Sequence, residues 1–317
     1  MFGIQGVQAQ DELPRLYFCM YETPAPGLAK NMYPVYPGVA LSSDTGATWR
    51  SIGWTNNRCS DAAHLASDAS TIFIANDNGV LVSRNNGDTW KLATTWRVRD
   101  ALCVQTTRDT VVTGTATGVY VSTDKGLSWQ SRSRGLPPLD ATYISDILVS
   151  DGAFFVATAG GVFRSDNRGE TWKRSGLDGR QIEHLARHPR LPDLLYACGP
   201  AGLWRSSDAG RTWTDISQSL GGARIQCVVA DPSDASGILV GTAAQGILKS
   251  RDMGLTWNNT SAGLQNLNVT TLAYNAQTPT VVYAGTDNGA FISRDGGAVW
   301  RPFTLRLGYV KQIRVQP

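Results

Sequence analysis

The sequence predicts an all-β chain folded as a seven-bladed β-propeller of four-stranded antiparallel blades. Three observations carry that prediction. A motif of the form Ser-x-Asp/Asn-x-Gly-x-x-Trp occurs seven times, with successive Trp residues 39 to 44 positions apart. Each copy follows three short apolar runs bounded by Gly and other turn residues, and a fourth short run follows each Trp, with no helical periodicity. The two ends of the chain are complementary: the first copy lacks one run on its N-terminal side, and an extra run closes the sequence. A repeat of about 40 residues with short strands is the signature of radially stacked sheets. The length of 317 residues alone suggests two domains, but the repeat makes it one ring.

Taken in order, residues 1–14 (MFGIQGVQAQDELP) read as an N-terminal arm, with Val7-Gln8-Ala9 like the small-residue end of a secretory signal. No basic segment and only a short apolar stretch precede it. Residues 15–317 read as the propeller, and Arg15-Leu-Tyr-Phe-Cys-Met20 looks like a second strand rather than a first. The missing innermost strand of blade 1 is supplied by residues of about 309–316, Tyr309-Val-Lys-Gln-Ile-Arg-Val315. Such pairing removes the open edge that an incomplete blade would expose.

The motif is read as structural. The third position is Asp44, Asp124, Asp208, Asp252 and Asp295 in five copies and Asn85 and Asn167 in two. Either side chain accepts hydrogen bonds from turn N–H groups. The Gly takes positive φ without a Cβ penalty. Trp49, Trp90, Trp129, Trp172, Trp213, Trp257 and Trp300 bury flat surface between neighbouring blades. Asn is a poor calcium ligand, and no trailing bidentate Glu follows, so no metal role is expected.

This motif resembles the Asp-box (BNR) repeat, and the resemblance covers the whole chain. Asp-box propellers include sialidases, xyloglucanase-type glycoside hydrolases, sortilin-type receptors and single seven-bladed photosystem II assembly factors. One seven-bladed domain is most similar to the last group. That resemblance implies a non-catalytic assembly scaffold and an arginine patch. The patch is only partly matched, because the loop from Asn258 to Thr270 carries no basic residue. Fold alone does not decide function.

Chemistry is expected on the face built by the blade-connecting loops, opposite the motif turns. Arg58, Arg97, Arg99, Arg132, Arg134, Arg180, Arg224, Arg306 and Lys311 fall there, interspersed with acids such as Asp61, Asp100, Asp146 and Glu183. Such side chains make either a solvated surface of weak ion pairs or a patch for carboxylates, phosphates or an acidic partner. Trp54 and Trp96 lie outside the motif in consecutive loops, as stacking platforms, interface anchors or loop packing. Trp204 falls in a core column. The long loop from Tyr21 through Tyr33 and Tyr36 is rich in Tyr and Pro where other blades have tight turns. The junction of blades 1 to 3 is therefore the expected site.

Composition narrows the rest. Lys plus Arg number 29 against 26 Asp plus Glu, a net +3, too weak and dispersed for a nucleic-acid binder. Charged residues are only 17%, and with abundant Ser, Thr, Asn and Gly this leans towards an extracytoplasmic location. No apolar stretch is long enough to span a membrane. The five cysteines show no C-x-x-C spacing and read as buried thiols, with a Cys19–Cys59 bridge left open. His64 and His184 are expected at matching positions of two first strands. No cofactor motif occurs.

An enzyme is not favoured. The F/Y-R-I-P segment of sialidases is absent, and Tyr21-Glu22 sits in a different pattern. A glycosidase needs two opposed carboxylates, for which Asp61, Asp100, Asp146 and Glu183 are the candidates. The expected function is a scaffold binding another protein or a membrane-protein complex. The rival is a carbohydrate-active protein, either a lectin-like binder or a glycoside hydrolase.

Overall fold

The computed structural model describes residues 14–21, 38–54, 58–138, 142–150, 152–303 and 308–316. The arm 1–13, Tyr33, Tyr36 and Arg306 lie outside the described residues. Within them the chain forms seven four-stranded antiparallel sheets, with one helical turn at Gln218–Leu220. No helix among them is long and apolar enough to cross a membrane.

Each blade begins with an inner strand and runs outwards in sequence order, except the first. In blade 1 the order is Tyr309–Gln316, Arg15–Tyr21, Gly38–Ser42, Arg50–Ile52. The closing strand pairs antiparallel with Arg15–Tyr21, setting Phe18 opposite Ile313 and Tyr21 opposite Tyr309. The ring is thus closed as the complementary ends predict.

The core is divided among the seams between blades. Across the seam of blades 1 and 2, Val39 and Leu41 meet Ala62, Ile74 and Leu81. Middle strands such as Gly79–Ser83 and Ile238–Thr242 are buried at every residue, as sheets covered on both faces require. Fourth strands are only two or three residues long and mostly exposed, for example Lys91–Leu92. All five cysteines are buried free thiols, so Cys19 and Cys59 are not bridged.

Between the third and fourth strands the motif folds as one repeated hydrogen-bonded turn. In the first copy Ser42 Oγ donates to Asp44 Oδ1 at 2.7 Å and accepts from Gly46 N at 2.8 Å. Asp44 also accepts from Thr48 N at 2.8 Å and from Thr48 Oγ1 at 2.5 Å. Asn85 reproduces this with Oδ1 accepting from Thr89 N at 3.0 Å, while its amide donates to Thr89 Oγ1 at 2.9 Å. The residue before the motif Gly is also left-handed in every copy, including Thr45, Arg168 and Met253 at φ between 55° and 59°. The side-chain bonds hold two consecutive left-handed residues, where the sequence pointed only to the glycine.

Five of the seven motif Trp residues make one of two hydrogen bonds, while the buried indole N–H groups of Trp129 and Trp257 have no partner. Trp172, Trp213 and Trp300 donate their indole N–H backwards to Arg132 O, Ser175 O and Thr260 O of the preceding blade. Trp49 and Trp90 donate to Gly46 O and Gly87 O of their own turns. The first group therefore stitches blades together by hydrogen bonds as well as by area.

The inner strands carry bulges near their start, as between Cys59 and Asp61 and between Ile144 and Asp146. A bulge re-aims the next side chains. Asp61 pairs with Ala75, Asp146 with Ala157 and His184 with Cys198, each the penultimate residue of its second strand. His184 is thus the counterpart of Asp61 and Asp146. His64 is not its match as expected: it pairs with Ile72, three residues further along its strand than Asp61, at the position that Arg187 takes in blade 5.

Candidate functional site

The loop joining blades 2 and 3 belongs to the predicted face and is fastened at both ends. Val80 N donates to Thr94 Oγ1 at 3.1 Å and Asp100 N donates to Asp77 O at 3.0 Å, fastening both ends of the loop to one hairpin. Val98, only 3% exposed, anchors its middle. Between these fixed points Trp96 stands 71% exposed. The Arg97 guanidinium lies 5.4 Å from the Trp96 ring centroid, and Arg99 Nε donates to Trp96 O at 3.2 Å. A large aromatic held out to solvent by an anchored loop, with a cation on its face, has the chemistry of an interface anchor.

Trp54 is less prominent, at 39% exposure. Nearby, Tyr21 stacks on Tyr309 with ring centroids 5.5 Å apart and planes 8° from parallel. The Arg58 guanidinium lies 5.8 Å from the Tyr21 ring, and the Tyr21 hydroxyl is 3.3 Å from Ser60 Oγ. Burial pushes the Tyr21 phenol up, so it stays protonated. Blades 1 and 2 thus present Trp54, Tyr21 and Arg58, and the next loop presents Trp96, Arg97 and Arg99.

Other predicted residues stand apart. Arg132 Nη1 donates to Arg168 O in the motif turn of blade 4 at 2.9 Å, which takes it to the blade seam. Arg134 is exposed, and its carbonyl accepts from Trp172 N at 2.8 Å. Lys311 is half-buried on the closing strand. Trp204 is core, 2% exposed, with Arg180 at 5.3 Å from its ring.

A polar cluster fills the ring's centre, and its key residue was not anticipated. Arg314, on the closing strand, makes a bidentate pair with Asp61 of blade 2, Nε and Nη2 each donating at 2.8 Å. Its Nη2 also lies 3.8 Å from Asp146 Oδ1 of blade 4. With the Gln105 amide turned so that its oxygen faces the guanidinium, that oxygen accepts at 3.2 and 2.9 Å. Asp61 additionally accepts from Ala62 N and Val104 N, and Asp146 from Ile147 N and Leu185 N. Each carboxylate therefore caps the inner strand of the following blade. Burial opposes the Arg314 charge, but Asp61 and Asp146 more than restore it, so the guanidinium is held more firmly protonated than usual. His184 Nε2 is 3.9 Å from Asp146 Oδ2, and burial lowers the imidazole pKa despite that carboxylate.

This geometry bears on the carboxylates expected as a hydrolytic pair. Asp61 and Asp146 are committed to Arg314 and to backbone N–H groups. Glu183 lies 3.7 Å from Arg224, and Asp100 belongs to the Trp96 loop. The sequence signal for Arg314 was its place: the corresponding channel-facing positions of other inner strands include Ala63, Leu148, Ala186, Val229 and Ala273. Among the described residues no cluster of His, Cys, Asp or Glu is arranged to hold a metal.

Comparison with known proteins agrees on architecture. The Sortilin-Vps10 family description (sortilin, neurotensin receptor 3) matches residues 201–311. A xyloglucanase of Hypocrea jecorina (strain QM6a) is 30% identical over 223 residues, covering 66% of this chain and 26% of the enzyme. An ancestral GH74 enzyme superposes with a TM-score of 0.69 at 17% identity, over 84% of this chain and 43% of that one. A structure of YCF48 bound to a D1 peptide superposes with a TM-score of 0.62 at 18% identity, over 78% of this chain and 82% of that one. The shared fold is the propeller. The chain spans about a quarter of the length of the first curated relative it matches.

Proposed function

We propose that this chain is a non-catalytic scaffold that holds a protein partner, such as a component of a membrane-associated complex outside the cytoplasm, against the face formed by Trp54, Trp96, Arg97, Arg99, Arg58 and Tyr21. The observation that carries this reading is Trp96, 71% exposed on a loop pinned at three points. A pinned loop presents its aromatic with little ordering cost on association. The seven motif copies support an Asp-box assignment, and the YCF48 complex shows that a similar propeller takes a peptide. The resident carboxylates of the channel are neutralised and backbone-bonded, which speaks against a free acid and nucleophile there.

A second reading, a glycan-binding or glycan-cleaving protein, is favoured by the 30% identity to a xyloglucanase. One experiment separates the two. The protein is purified gently from its native source, co-purifying proteins are identified, and the same preparation is assayed on xyloglucan. Stoichiometric recovery with a protein partner, lost on Trp96→Ala, supports the scaffold. Release of reducing sugar by an unpartnered chain overturns it.

A further inference from the structure

An open groove with about 550 Å³ of space separates the outer part of blade 4 from the motif turn of blade 5. One wall is the strand pair Gly161–Ser165 and Lys173–Arg174, and the other is the turn at Gly210-Arg211. Four cations, Arg164, Lys173, Arg174 and Arg211, and one carboxylate, Asp166, line it. None of the four cations belongs to the set expected on the blade-connecting loops.

Two of these cations are already spent. Arg164 Nη1 donates to Ala209 O at 2.6 Å, and its Nη2 lies 2.7 Å from Asp166 Oδ1. Arg164 thereby staples the seam and takes up the one acid among the lining residues. Arg174 pairs with Asp178 at 2.8 Å, and its guanidinium lies 5.3 Å from the Phe163 ring centroid. The other two are unspent. Among the described residues the Lys173 side chain has no partner, and the Arg211 guanidinium has only the carbonyl of Asp208, at 3.4 Å.

The strand register makes this arrangement costly. Arg164 stands directly opposite Lys173. Like charges at facing positions destabilise a strand pair. The corresponding pair is Val82–Lys91 in blade 2, Arg205–Thr214 in blade 5 and Lys249–Asn258 in blade 6, and every other blade sets at most one cation there. Arg211 is a second departure from the repeat. The residue after the motif Gly is neutral or acidic in the other copies, Asp88 and Leu255 among them. A cation on an edge strand guards against unwanted pairing, but that duty calls for no further cation from the facing blade. Two separate departures thus bring positive charge to one groove from both sides.

We infer that this groove binds an acidic peptide segment, with Lys173 and Arg211 gripping its carboxylates from opposite walls. The guanidinium fork matches a carboxylate with paired bonds, and the lysine ammonium adds a point charge beside it. The lining holds no aromatic ring on which a sugar or a base could stack, which favours a peptide over a glycan or a nucleic acid. Bound carboxylates also relieve the repulsion between Arg164 and Lys173. The groove is distinct from the Trp96 face, being built on the motif-turn side of blades 4 and 5, and does not depend on it.

The test titrates fluorescein-labelled Gly-Asp-Glu-Asp-Gly amide and its Gly-Asn-Gln-Asn-Gly analogue against the full chain by fluorescence polarisation, at low and at high salt. The acidic peptide is expected to bind at least about tenfold more tightly than the analogue at low salt, and to lose much of that advantage at high salt. The variant K173T/R211L gives the two positions the residues that blades 5 and 6 carry there, Thr214 and Leu255. It is expected to weaken the acidic peptide by about tenfold or more and to leave the analogue unchanged. Because it removes a like-charge pair, it is expected to melt no lower than the parent, which separates lost binding from lost folding. Trp96→Ala is expected to bind the acidic peptide as the parent does, so that failure of the groove and failure of the scaffold reading are told apart. Equal binding of the two peptides, undiminished binding by K173T/R211L, or tighter binding of a sulfated disaccharide of equal charge overturns the inference.

Discussion

At the scale of single residues, the motif turn explains both its own conservation of form along the ring and a pH dependence. Asp44, Asp208 and Asp252 are held down to about 2 by hydroxyl and amide donors from the Thr four residues on and from the motif Ser. At Asp124 desolvation is the largest single effect and opposes the shift, but the bonds from Ser128, Ser122 and Leu127 N–H together outweigh it and bring it to about 2. A carboxylate depressed on folding contributes stability that is complete above the unfolded value and is lost as pH falls towards the folded one. Melting temperature is therefore expected to drop between about pH 4 and pH 2. The combined variant D44N/D124N/D208N/D252N should show a flatter profile in calorimetry, because Asn85 and Asn167 already make the same turn without titrating. A second expectation concerns Gly135, at φ 94°, where a Cβ would stand 2.2 Å from Trp172 O. Gly135→Ala combines strain at positive φ with a backbone clash and should cost about 2–4 kcal/mol in urea denaturation. The sequence made the motif glycines legible as turn residues. It did not reveal the left-handed residue preceding them, because Thr45, Arg168 and Met253 have no shared side-chain character; the hydrogen bonds around them impose the conformation.

At the scale of elements, the closing strand Tyr309–Gln316 does two jobs. Its backbone completes blade 1, and its Arg314 binds carboxylates of blades 2 and 4 across the centre. Removing residues 308 onward should give an aggregating chain with no cooperative melt, since the edge of Arg15–Tyr21 is then left unpaired. A soluble, cooperatively melting truncation would refute the closure. Arg314→Met tests the electrostatic part alone. It leaves Asp61 buried without its cation and should destabilise by about 3–5 kcal/mol, and adding Asp61→Asn to it should recover part of the loss. The strand itself was readable from its apolar alternation and from the missing run in blade 1. The ion cluster was not, because inner-strand bulges change which side chains face the channel, and nothing in the local pattern marks a bulge. His184, rather than His64, shares a position with Asp61 and Asp146, because His64 lies three residues further along its strand.

At the scale of the whole molecule, seven near-equal blades make departures from regularity informative. The exposed Trp96 in the loop between blades 2 and 3 and the Arg314 cluster are two such departures. The junction of blades 1 to 3 is singled out because Trp54 and Trp96 have no motif role and both are exposed. The wider arginine ring was not a single surface, because side chains such as Arg132 bond within the blade seams. Trp96→Ala should leave the melting temperature nearly unchanged, since the ring makes little buried contact, while reducing partner recovery at least tenfold in a pull-down, the order expected of an aromatic anchor. The pairing of Arg15–Tyr21 with Tyr309–Gln316 also has a consequence during synthesis. Arg15–Tyr21 leaves the ribosome with one edge bare and waits for its partner until nearly three hundred further residues have been made. By the end of that interval six finished blades stand open like an unclasped bracelet, and cellular folding of this protein should depend on chaperones that shield a strand edge more than on those that rescue a collapsed core.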